Sequence, residues 1–290
     1  MSMKIKKPRQ VLLNRSVRGN VAVIIVLILF GIMFAFPMVL ALINSIKPIE
    51  ELMIFPPRLY ATNPTFDNYK DLFTIAANTS IPMLRSLANS VFIALAQTIL
   101  TIVIGTAAAF PLALGNFPGK KFIFGIIVTS LLFVAEVTSA PQYVLISKLH
   151  LLDSYWAIIL PAAGASMGVF LMKQFMEQIP YAVVEAAKID GCTEYSILTR
   201  IIVPLVKPAW MTLAIFIFPG AWTNSGGTFI FTDNLKLLPT LLSEISAGAG
   251  VARMGVSAAT MVLMLLPSLI FFIIAQSNVL ETMASAGIKE

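Results

Sequence analysis

Six stretches of this 290-residue chain run for 20 to 25 residues with almost no charge, and no other feature restricts its fold so severely. They are Val21–Ile43, Ser90–Phe110, Phe122–Ile146, Tyr155–Met176, Pro208–Phe231 and Val256–Ala275. Four contain no Asp, Glu, Lys or Arg; the exceptions are Glu136 in the third and Lys173 at the end of the fourth. At ~1.5 Å of rise per residue such a run crosses the ~30 Å of a bilayer's hydrocarbon, where only a helix satisfies its own backbone over that length. The alternating pattern of a membrane barrel is missing. Composition agrees, with 58% hydrophobic and 12% charged residues, about half the charged fraction of a soluble chain. The predicted fold class is an all-α polytopic membrane protein with six transmembrane helices. A cytosolic enzyme, a disordered chain and a fibrous repeat are excluded. A single cysteine, Cys192, rules out an intramolecular disulfide, and with a single histidine, His150, it leaves no Cys/His metal cage.

The net charge of +6 reads as basic residues that keep loops in the cytoplasm, not as a nucleic-acid surface. The first 20 residues carry Lys4, Lys6, Lys7, Arg9, Arg15 and Arg18 and no acid, so the N-terminus is expected in the cytoplasm. Six crossings then return the C-terminus there. The expected organisation is a cytoplasmic tail over 1–20, a transmembrane domain over 21–280 and a cytoplasmic tail over 281–290. An outer loop over 44–89, rich in proline, packs on the outer face, and a cytoplasmic loop spans 177–207.

That cytoplasmic loop has a distinctive grammar. Pro180 and Pro204 bracket good helix formers; Gly191 breaks the segment, since glycine takes a turn conformation cheaply. Ile197, Leu198, Ile201 and Ile202 recur at helical spacing beyond the break. Two short amphipathic helices meeting at an angle make a knob suited to a groove in a partner protein.

The string Glu185-Ala186-Ala187, three residues, Gly191, nine residues, Ile201-Ile202-Val203-Pro204 resembles the EAA loop of ABC-importer membrane subunits, with Val203 in place of the family's leucine. Further strings, from Pro141-Gln142-Tyr143 through Asp153-Ser154-Tyr155-Trp156 to Phe170-Leu171-Met172-Lys173, are similar to carbohydrate-importer permeases of the maltose-system type. The stretch around Trp222-Thr223-Asn224 and the tail match less well.

This resemblance implies a type I ABC importer permease fold in a bacterial inner or plasma membrane. It implies a sugar or oligosaccharide as cargo, delivered by an extracytoplasmic solute-binding protein. It also implies a second permease subunit in a heterodimer and two ABC ATPase subunits that bind ATP and Mg. The chain itself would need no cofactor, and it carries no Walker A motif: Gly115 to Lys121 has three residues between its glycines and no Ser/Thr after the lysine. Glu185, Ala186, Ala187, Gly191, Ile201 and Pro204 would form the joint to the ATPase, with Glu185 pairing with a basic residue there.

Candidates for the substrate path are Glu136, an acid in an apolar span, Gln142 and Tyr143, and the pair Trp222 and Asn224, an aromatic face beside an amide. Lys173 is expected to snorkel to the cytoplasmic boundary, and Gly164-x3-Gly168 to permit tight helix packing. A different class, an ion-coupled secondary transporter, calls for more intramembrane ionisable groups than one acid. An ABC permease for amino acids or peptides shares the loop and differs in the flanking strings.

Overall fold

The computed structural model describes residues 17–133, 135–247 and 254–286, and these are helical with short connections and no strand. α1 (Val17–Ser45) is followed by two outer helices, α2 (Ile49–Leu52) and α3 (Asp67–Ala77), and by α4 (Met83–Leu114). α5 (Lys120–Ser130) and α6 (Ala135–Lys148) form a limb; α7 (Trp156–Ala163) and α8 (Ser166–Met176) return across the membrane. α9 (Tyr181–Ile189), α10 (Glu194–Ser196) and α11 (Val203–Leu205) belong to the loop over 177–207, and α12 (Lys207–Thr223), α13 (Leu238–Ala247) and α14 (Met254–Ala286) complete the chain.

Among the described residues, Gly19–Ser45, Met83–Leu114, Trp156–Met176 and Met254–Gln276 are long and apolar enough to cross a membrane. A fifth crossing arises if Glu194–Leu205 and Lys207–Thr223, bent by 75°, count as one. The expected third span, Phe122–Ile146, is not one helix. Its break follows from hydroxyl chemistry: Thr129 Oγ1 donates to Gly125 O and Ser130 Oγ to Ile127 O, and the next three amides tighten to i−3 carbonyls. The fifth span is also shorter than expected. α12 ends at Thr223, where Asn224 turns extended and its Oδ1 accepts from Gly226 N at 2.8 Å. The last helix starts two residues earlier than its apolar run and continues eleven residues past it, to Ala286.

α4 is the spine. Thr101, fully buried, donates from Oγ1 to Gln97 O and across to Ala162 O at 3.1 Å. The α4–α8 crossing is drawn in by two glycines: a Cβ on Gly105 would lie 3.0 Å from the Gly168 carbonyl carbon. One apolar cluster sits at the end expected to be the outer one, joining Leu72, Ile81, Phe218, Trp222 and Leu241 to α14. Another, at the opposite end, joins Met172, Met176, Val184, Ile197, Ile202 and Leu213. α1 stays exposed over most of its length, as expected of a helix whose solvent is lipid.

The segment over 44–89 is braced by buried polar groups. Lys47 Nζ donates to Arg58 O at 2.5 Å and to Asn44 Oδ1 at 3.1 Å. Glu51 accepts from the amides of Thr62 and Asn63, and these bonds hold its carboxyl below the usual range. Asn68 Nδ2 spans Ser45 O and Lys47 O at 2.9 and 2.7 Å. Its amide lies directly on α14, for a Cβ added to Gly255 would come within 2.1 Å of Asn68 Oδ1. Gly255→Ala is therefore expected to unseat Asn68 and cost about 1–3 kcal/mol, since both carbonyls lose their donor. Faster proteolytic nicking of the segment 46–66 in the variant would report it; unchanged nicking would refute the clamp.

Candidate coupling joint and translocation path

The loop over 177–207 is built as two arms around one turn. α9 begins after Pro180, which supplies no amide and is well suited to a helix start. Val184 and Ala187, three residues apart, are buried against the inner cluster, so Glu185, Ala186 and Ile189 face outward; Ile189 is 86% exposed. The turn closes in the pattern of a left-handed helix cap. Gly191 takes φ +77° and the following amide, Cys192 N, bonds back to Ala187 O at 3.0 Å. Thr193 then caps the second arm, its Oγ1 accepting from Ser196 N, and Lys188 pairs with Glu194 at 2.8 Å across the turn. The hydrogen bond to Glu194 in that exposed pair raises the lysine pKa.

The second arm widens. Ile197–Ile202 winds in π-type turns, and Val203 N reaches back to Leu198 O. The cause is Pro204, which removes the amide that would close the next regular turn. Pro208 repeats the effect at the 75° corner into α12, which is tied by Trp210 Nε1 donating to Val203 O at 3.3 Å. Ile197 and Ile202 are buried, Ile201 half-buried, and Pro204 exposed at the corner. Glu185, Ala186, Gly191, Tyr195 and Pro204 are each exposed on the arms, whose apolar foundation rests on α4, α8 and α12.

The described path candidates have different surroundings. Glu136 falls in the first turn of α6, and its side chain lies outside the described ones. Gln142 is half-buried, and Tyr143 stacks on Phe229 with centroids 6.2 Å apart. Trp222 is enclosed in the outer cluster at 3% exposure, its Nε1 donating to Met264 O at 3.0 Å. Its indole presents no open face; it fixes the end of α12, from which half-buried Asn224 projects. Lys173 does not snorkel to water as expected: it is 6% exposed, paired with Glu177 and covering the Phe124 ring.

Long-range polar clasps between the start of α4, the loop before α7 and the segment 231–238 escaped the sequence reading. Asn89 Nδ2 donates to Asn234 O and Lys236 O, and Ser90 Oγ accepts from Leu238 N at 2.8 Å. Lys236 in turn pairs with Asp233 and Glu244. Asp153, itself at φ +56°, receives Phe231 N and Thr232 N at 2.9 Å each and the Thr232 hydroxyl. The Thr232 hydroxyl and then the two amides stabilise the carboxylate and push its pKa down. The contribution of a group with a depressed folded pKa is present above the ordinary carboxylate value and is lost as pH falls through the folded one. Hydrogen-exchange protection of the Phe231 and Thr232 amides, normalised to intrinsic rates, is accordingly expected to hold from about pH 7 to 5 and to fall below about pH 4. In Asp153→Ala it is expected to be low throughout; protection equal to wild type would exclude the clasp.

The family model described as "Binding-protein-dependent transport system inner membrane component" matches residues 94–280. The chain belongs to this family of ABC importer permeases. Its members are membrane subunits, with ATP hydrolysis carried out by separate subunits. The sulfoquinovosyl glycerol transport system permease SmoH of Agrobacterium fabrum is 31% identical over 258 residues, 88% of each chain. The arabinooligosaccharides transport system permease AraQ of Bacillus subtilis is 28% identical over 274 residues, 93% of this chain and 96% of that one. The solved structure of a bacterial ABC transporter involved in the import of the acidic polysaccharide alginate superposes with a TM-score of 0.76. At 20% identity it covers 91% of this chain and 98% of its own, which shows a shared fold. The permease is thus a multi-pass membrane protein with the type I importer architecture.

Proposed function

We propose that this permease forms half of the translocation path for a sugar or oligosaccharide. In this reading an extracytoplasmic binding protein delivers the cargo at the outer mouth, and two ATPase subunits drive the cycle through the loop 180–204. The observation that carries it is the cytoplasmic joint: Glu185 and Ala186 face outward while Val184 and Ala187, on the same two turns, are locked into the inner cluster. A force applied to such a knob moves helices α8 and α12 with it, because the apolar contacts beneath are close-packed and transmit displacement. Glu185 would pair with a basic residue of the ATPase, Ala186 would allow close approach, and Gly191, Ile201 and Pro204 would keep the shape.

A second permease supplies the other half of the path. The relatives' names favour a saccharide: one serves sulfoquinovosyl glycerol, one arabinooligosaccharides, and a third, 26% identical over 250 residues, trehalose. Glu136, Gln142, Tyr143 and Asn224 are the groups we assign to the path, with Trp222 holding the helix end that presents Asn224. If α5 and α6 together make one further passage beside the five apolar ones, the chain crosses six times and both termini would lie in the cytoplasm.

The test is to reconstitute the full complex with its binding protein and measure ATP hydrolysis against a panel of mono- and oligosaccharides, amino acids and peptides. Stimulation by a saccharide alone is the expected result. Stimulation by an amino acid or peptide would reassign the cargo, and uptake without any ATPase subunit would overturn the reading.

A further inference from the structure

α5 has no fully buried residue and packs chiefly on α8. Its contact runs along one stripe, Phe124, Ile127 and Ser130, each half-buried and three residues apart. The opposing stripe is Ser166, Phe170 and Lys173 on α8, continued by Glu177 just past its end, at helical spacings of four, three and four. The seam is closed at both ends. At one, the hydroxyls of Ser130 and Ser166 hydrogen-bond. At the other, the Phe124 ring stacks on Phe170 at 6.2 Å with planes 6° apart, and the Lys173 ammonium sits 3.9 Å from the Phe124 centroid. The same nitrogen donates to Glu177 Oε1 at 2.6 Å.

A buried ammonium is expensive unless an opposite charge or a ring face balances it. An apolar residue would fill the space against Phe124 and Phe170 without that expense, so the cation does something that packing alone does not require. Lys173 touches both the third span's inner half and Glu177, the first residue of the cytoplasmic loop. α8 runs from this point through Pro180 into α9, while α5 continues through its break into α6, which carries Glu136, Gln142 and Tyr143.

We infer that Lys173 is a positioning residue for coupling: by gripping Phe124 and Glu177 together, it makes the α5–α6 limb follow the cytoplasmic joint. The inference rests on the coupling role proposed for the loop. It adds a second route beside the apolar foundation, one that reaches path residues the foundation does not touch.

The test uses the assembled complex with its ATPase subunits, a single thiol at Val144 of α6 (52% exposed) and Cys192→Ala. Labelling by a membrane-impermeant maleimide is compared with and without ATP plus vanadate, beside the rate of ATP hydrolysis without binding protein. In the parent and in Lys173→Arg, which keeps a cation over the ring, nucleotide is expected to change labelling at least fivefold. In Lys173→Met and Phe124→Leu the change is expected to drop below twofold while hydrolysis stays within twofold of the parent. The double variant is expected to behave as either single one, because both remove the same link. Parent-like labelling changes in Lys173→Met and Phe124→Leu would overturn the inference alone, as would an arginine no better than methionine. If Lys173→Met does not assemble, Phe124→Leu decides in the same way. A parent complex whose labelling ignores nucleotide would instead overturn the coupling reading beneath it.

Discussion

Gly191→Val is expected to abolish substrate-stimulated ATP hydrolysis in the reconstituted complex, by more than tenfold, while the amount of permease in the membrane stays within about twofold. The reason is conformation, not space. A Cβ at residue 191 would meet nothing within 4 Å, yet its backbone sits at φ +77°, where an L-residue costs about 1–2 kcal/mol and a β-branched one is worse. Relaxing that angle breaks the Cys192–Ala187 bond and swings the second arm off the first, which changes the shape the loop presents. The helices that cross the membrane have no stake in the turn. Gly191→Asn, which tolerates the left-handed region, is expected to retain most of the stimulation. Full stimulation in the valine variant, measured beside quantified assembly, would remove Gly191 from the joint.

Gly105→Leu is expected to have the largest effect on the fold itself. At this crossing the obstacles are backbone atoms: the Gly168 carbonyl carbon would lie 3.0 Å, and its Cα 3.3 Å, from a Cβ at residue 105, and backbone cannot rotate aside. Forcing α4 from α8 costs about 1–3 kcal/mol or more by overpacking. It also strains the Thr101–Ala162 bond one turn away. The recovery of monodisperse permease in detergent is expected to fall at least fivefold, and the unfolding midpoint by about 5 °C. Gly125→Ala is the internal control, because nothing lies within 4 Å of that position. Equal recovery of the leucine variant would show that the two helices can separate freely.

Both predictions concern glycines, yet they differ in how far they could be read from the chain alone. Gly191 was legible because its neighbours in sequence define it: a helix former on each side, prolines beyond, and spacing that matches a known loop. Gly105 carried no such mark. Gly168 was visible as a packing residue, but its partner lies 63 positions earlier and only the crossing brings the two together. The third span shows the same division. Its apolar length was plain, while its break depended on where Thr129 and Ser130 direct their hydroxyls and on Ser166 answering from another helix.

The candidate path divides likewise. Trp222 read as an aromatic face because tryptophan beside an amide is what a sugar site uses; its indole is instead enclosed by α13 and α14, neither of which is near it in sequence. Lys173 read as a cation reaching for water, and a ring from α5 covers it instead. The bonds made by Asp153 and Asn89 were not foreseen, since their partners lie 79 and 145 residues away.

Membrane residence, helical class and the bend of the loop at Gly191 were legible in the sequence alone, because transfer free energy and turn chemistry are summed over residues that are neighbours along the chain. Which side chains are enclosed, which glycines touch, and which spans break were decided only in three dimensions. Burial and close approach are properties of pairs, and here the pairs join helices that lie far apart in the sequence.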